Sequence, residues 1–65
     1  MNTIGDNLKI ARLARGQTQE EVAQELGVAT ETVNRWERGH YEPMGLYAEA
    51  VARYIRKGQK DGKGT

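Results

Sequence analysis

Residues 18–39 read TQEEVAQELGVATETVNRWERG, and the three residues Gly27, Val28 and Ala29 in their middle constrain this chain more than any other feature. Thr18 followed by Glu21 is a capping-box signature, so a helix opens here, carries Val22, Ala23 and Leu26, and stops at Gly27. A second helix is expected over residues 30–38, ending at Gly39. Three connecting residues are too few to lay two helices antiparallel, so the pair must cross steeply. Such a crossing needs a small side chain where the backbones approach, and Ala23 supplies it. Gly27 can take the left-handed conformation that ends a helix without a steric penalty.

Similar punctuation divides the rest of the chain. Thr3 and Asp6 open a first helix, in which Ile4, Leu8 and Ala11 share one face, and Gly16 stops it. Pro43 is expected in the first turn of a fourth helix, where proline is tolerated. That helix spans about 44–57, with Leu46, Tyr47, Ala50, Val51, Tyr54 and Ile55 forming a broad apolar stripe. Residues 58–65 contain no apolar side chain and read as a flexible polar tail. The expectation is one all-α domain over residues 1–57, built from four helices, or five if the last stretch divides. Ile10 and Leu13 lie away from the Ile4 face; coverage by Val51, Tyr54 or Ile55 is expected, a partner-binding patch being the alternative.

Composition closes off other classes. The chain has 65 residues, 37% of them apolar, and seven of those are Ala. Fewer than twenty bulky side chains suffice for a helical minidomain but not for a sheet with a buried active site. With no Cys and one His there is neither a disulfide framework nor a structural zinc site. No apolar run reaches the ~18 residues of a membrane span and no signal pattern opens the chain, so a cytoplasmic protein is expected. No nucleophile–base pair, acid pair or metal cluster emerges, which argues against an enzyme, a cofactor or a small-molecule ligand. Ten Lys and Arg against nine Asp and Glu give a net charge of only +1. Any nucleic-acid binding must therefore depend on where the charges lie.

The third helix shows where. Projected at 100° per residue, Val33, Trp36 and Glu37 share the inner face, while Glu31, Arg35 and Arg38 fall nearly opposite. Asn34 stands to one side and Thr30 near the exposed N-terminal end. Such a surface can read base edges: Arg35 donating twice to guanine, Asn34 pairing with adenine, Glu31 accepting from cytosine N4. Glu31 and Arg35 are also an i,i+4 pair, which a solvated ion pair would explain equally well. Trp36, three residues from Val33, is expected in the core rather than stacked on a base.

The chain resembles the helix-turn-helix of the phage-repressor type, the Cro/repressor or XRE family of DNA-binding regulators. Thr18-Gln19-Glu20-Glu21, Val22-Ala23, Leu26-Gly27-Val28, Thr32-Val33, Trp36-Glu37-Arg38-Gly39 and Pro43 carry the likeness, and Leu8, Arg12 and Gly16 also fit. It covers roughly residues 4–54. The resemblance implies a recognition helix in the major groove, with Thr30, Glu31, Asn34 and Arg35 on bases. It implies phosphate contacts from Gln19 at a helix start, and from Thr32, Arg38, His40 and Tyr41. Arg12 and Glu37 match a buried structural ion pair of the family. The implied function is a transcriptional regulator, a repressor for example, bound as a homodimer to a palindromic double-stranded operator. An antitoxin or anti-repressor module on the same fold is the alternative.

Three positions depart from the family pattern. Gln17 stands where an apolar residue is usual, so looser packing is expected between the first two helices. Ala29 occupies the cap position before the recognition helix and forgoes ~1 kcal/mol of capping. The single fourth helix replaces the two short helices common in the family and leaves the usual dimer surface in doubt.

Overall fold

The structure, a computed structural model, describes residues 3–61. Four helices follow in order: α1 (Ile4–Ala14), α2 (Gln19–Leu26), α3 (Thr30–Glu37) and α4 (Leu46–Asp61). The described residues contain no strand, so the fold is all-α. None of their helices is long and apolar enough to cross a membrane.

Two of the helix starts are fixed by reciprocal side-chain bonds. The Thr3 hydroxyl accepts the Asp6 N–H at 3.1 Å, and the Asp6 carboxylate accepts the Thr3 N–H at 3.1 Å. Thr18 and Glu21 repeat the arrangement at 3.1 and 2.9 Å. Each box satisfies two amides that a helix end otherwise leaves open. At the far end of α2, Gly27 has φ +76° and the Val28 N–H returns to the Ala23 carbonyl at 2.9 Å. The turn into α3 is thereby closed with no side chain in the way. Ala29 makes no side-chain cap on α3.

Each helix gives the core one or two side chains: Leu8 from α1, Val22 and Ala23 from α2, Val33 and Trp36 from α3, Val51 and Tyr54 from α4. Ile4, Ala11, Leu26, Val28 and Ile55 pack around them. Leu8, Val22, Val33 and Val51 are fully buried, worth roughly 1.5–3 kcal/mol each. α1 lies against α4, and α2 against α3. Between α1 and α3 the approach is closer than side chains allow: a Cβ on Gly5 would fall 2.0 Å from the Trp36 carbonyl oxygen.

The C-terminal third differs from its sequence pattern. α4 begins at Leu46, not at Met44, and the buried Pro43 lies outside it. The reason is Gly45, whose φ of +60° breaks the right-handed path immediately before the helix. The helix therefore starts two residues late, and Leu46 turns outward at 81% exposure, with Tyr47 at 54%. The buried part of the expected stripe reduces to Val51 and Tyr54, with Ile55 and Ala50 partly covered. Ile10 and Leu13 are not covered by α4: they stand 57% and 58% exposed, because α1 meets its neighbours through Ile4, Gly5, Leu8 and Arg12 on the other side. α4 continues to Asp61, through the first residues of the expected tail; 62–65 lie outside the described residues.

Gln17, expected to loosen the first junction, is a polar tie instead. Its side-chain carbonyl accepts the Tyr54 hydroxyl, and its backbone carbonyl accepts Arg12 Nη1 at 3.0 Å. Arg15 lies 4.4 Å over the Tyr54 ring and 3.8 Å from Glu25, which Lys57 also approaches at 3.8 Å. Arg15 Nη1 is buried without a hydrogen-bond partner. The π face of Tyr54 provides partial electrostatic compensation for that guanidinium. Nothing in the local sequence pattern announced this cluster, whose members are up to 45 residues apart.

Candidate nucleic-acid interface

α3 is held from beneath at three points. Val33 is fully buried and Trp36 is 6% exposed, so the inner stripe sits in the core. Gly5 places α1 directly on the Trp36 peptide. The third point is ionic. Arg12 Nε donates to Glu37 Oε2 at 2.7 Å and Arg12 Nη2 to Glu37 Oε1 at 3.0 Å. With Nη1 on the Gln17 carbonyl, the guanidinium joins α1, the α1–α2 turn and α3. Its hydrogen bonds to Glu37 raise the Arg12 pKa above an already high value, against the opposing effect of burial. Arg12 therefore remains charged, seated on the Glu37 carboxylate through both of its oxygens.

On the opposite side Thr30, Glu31, Arg35 and Arg38 are exposed. Arg35 is not free to wander. Its Nη2 donates to Glu31 Oε2 at 2.9 Å, and its guanidinium lies 5.7 Å over the Tyr41 ring. Tyr41 comes from the segment after α3, whose start is tied to the helix by the His40 N–H on the Arg35 carbonyl at 3.0 Å. Thr32, Arg35, Trp36 and Tyr41 enclose a shallow hollow of about 260 Å³. Trp36 and Tyr47 meet at a tilt, with ring centroids 6.1 Å apart and planes at 50°.

The flank toward α2 is amide-lined. Gln19 Nε2 donates to Glu37 Oε1 at 3.0 Å, and Asn34 Nδ2 donates to Gln19 Oε1 at 3.3 Å. Both side chains are half-buried. Of the residues expected to matter, the structure gathers Gln19, Asn34, Arg12 and Glu37 into one network. Arg35, Glu31 and Tyr41 form a second group, with Thr32 beside it. Arg38 and His40 are exposed, and neither makes a side-chain bond among the described residues. The Gln19–Asn34 link and the seat of Arg35 on Tyr41 were invisible in the sequence: the first spans fifteen residues, and the second depends on the path of a turn.

Two short helices joined by a tight glycine turn, the second anchored underneath and polar above, define a helix-turn-helix domain. A helix-turn-helix family model matches residues 8–58. The chain belongs to that family, of the XRE, Cro/C1 type, and is a DNA-binding domain of the kind found in regulators of double-stranded DNA. No curated protein and no solved structure matches the chain at a significant level.

Proposed function

We propose that the chain is a sequence-specific transcriptional regulator acting in the cytoplasm, with α3 in the major groove of its operator. The observation that carries this reading is the presentation of Thr30, Glu31 and Arg35 outward, with Asn34 on the flank toward α2, from a helix fixed below by Val33, Trp36 and the Arg12–Glu37 pair. In it, Arg35 reads guanine, Asn34 reads adenine, and Glu31 aims Arg35 and rejects bases that offer only acceptors. Thr32 on the helix, with Gln19, Arg38, His40 and Tyr41 bordering it, serves the phosphates on either side.

One such domain touches few base pairs, so useful discrimination calls for two copies on a palindrome with half-sites about one helical turn apart. A domain seated in the major groove represses by blocking access to the operator. A net charge of +1 keeps non-specific affinity low and the salt dependence shallow.

Selection of bound duplexes from a random pool tests the reading. An enriched motif with two-fold symmetry supports it; the absence of any enriched sequence at low salt overturns it. In that event the exposed Ile10, Leu13, Met44 and Leu46 favour the second reading, a protein-interaction module of antitoxin or anti-repressor type.

A further inference from the structure

The network on the α2 flank has a direction. Arg12 has only donors to offer and the Glu37 carboxylate only acceptors. Glu37 Oε1 already accepts Arg12 Nη2 at 3.0 Å, so the group of Gln19 that faces it at 3.0 Å must be the amide NH2. The carbonyl of Gln19 then points the other way, toward Asn34, and the group of Asn34 facing it at 3.3 Å must likewise be an NH2. A flipped Asn34 would set two carbonyl oxygens against each other in a half-buried site. The orientation of the Asn34 amide thus follows from a charge pair reached through one intervening side chain, Gln19, independently of any contact with a duplex.

We infer that Gln19 is a positioning residue for base choice: it transmits the polarity of the buried Arg12–Glu37 pair to Asn34 and restricts that amide to one sense. The inference deepens the proposed function and rests on its assignment of Asn34 to a base. With one N–H engaged by Gln19, Asn34 keeps its second N–H and its Oδ1. One donor beside one acceptor is the pattern that matches N7 and N6 of adenine. Because the amide cannot turn over, adenine is accepted on one strand of that pair and its exchange with thymine is not. The second N–H of Gln19 remains available to a phosphate, so the two roles are compatible in geometry but separable by experiment.

Gln19→Lys separates them. A lysine can still donate to Glu37 and adds a charge facing the phosphates, yet it offers no acceptor to Asn34. Gln19→Met removes both functions while keeping the length of the side chain. Each variant, with Asn34→Ala and Arg35→Ala, is measured against the selected half-site and its single-base-pair changes, and thermal unfolding verifies folding. The expected wild-type preference at the Asn34 base pair is roughly tenfold. Asn34→Ala, Gln19→Met and Gln19→Lys should all reduce it to about twofold or less at that same pair. Gln19→Lys should at the same time bind every duplex as tightly as the wild type or more so, and both Gln19 variants should keep the preference at the Arg35 pair.

If Gln19→Lys retains the preference at the Asn34 pair, Gln19 serves phosphate alone and the inference is overturned, whether or not Gln19→Met folds. If Asn34→Ala leaves every base preference intact while Arg35→Ala relaxes one, the inference falls and the DNA-reading function stands. A wild-type protein that enriches no sequence removes both together.

Discussion

The carbonyl oxygen of Trp36 lies where the side chain of any residue but glycine at position 5 would begin, 2.0 Å from a Cβ built there. The contact is backbone against backbone, so no rotamer change relieves it. Gly5→Ala must push α1 away from the end of α3, at a cost of about 1–3 kcal/mol or more. Urea denaturation of the variant should show a lower midpoint with a similar slope. Binding to the selected duplex should weaken as well, since α3 loses one of its supports.

Arg12 and Glu37 are each about nine-tenths buried, and among the described residues neither makes another ion pair. Removing one partner strands the other. Arg12→Met or Glu37→Leu alone should each cost ~3–5 kcal/mol, and the double replacement much less than their sum. A double-mutant cycle by chemical denaturation measures the difference; additive losses would show that the pair is not a unit.

Arg35 is exposed, and its bond to Glu31 is an ordinary surface pair worth little to stability. Arg35→Ala should therefore leave thermal unfolding nearly unchanged. On the preferred duplex it should lose about 1–3 kcal/mol of binding and relax preference at one base pair. A uniform loss across all sequences would assign Arg35 to phosphate instead.

Burial pushes the Tyr54 hydroxyl above its ordinary value of 10.0, and the nearby Arg15 charge only partly opposes it. The unfolded chain gives up this proton first as pH rises. The contribution of Tyr54 is then fully present below about pH 10 and is lost as pH climbs through the folded value. Denaturation midpoints across pH 8 to 11 should fall more steeply for the wild type than for Tyr54→Phe. At neutral pH the same variant should be weaker by roughly 0.5–1.5 kcal/mol, having lost the bond to Gln17.

The sequence was most legible where structure is set by neighbours. Thr3 with Asp6 and Thr18 with Glu21 mark two helix starts, and both boxes form because each needs only four consecutive residues. Val33 and Trp36 declare the inner face of α3 by spacing alone. Pro43 misled because a proline can precede or begin a helix, and only the positive φ of Gly45 decides between the two. Ile10 and Leu13 misled for another reason: apolar character invites burial without locating a neighbour to provide it. On the interface, the outward stripe of α3 could be read from a helical wheel. The links from Gln19 to Asn34 and from Tyr41 to Arg35 could not, because they arise only once α2 and the following turn are folded against that helix.

Among the described residues seven make the hydrophobic core, while Ile10, Leu13, Tyr41, Met44, Leu46 and Tyr47 leave much of their apolar surface in water. So thin an interior leaves little margin between native and denatured chains. A bound duplex widens that margin by mass action, in proportion to the logarithm of its free concentration over Kd. Molecules seated on their sites would then resist proteases that clear those diffusing freely, and the cellular abundance of this protein would follow the number of sites available to hold it.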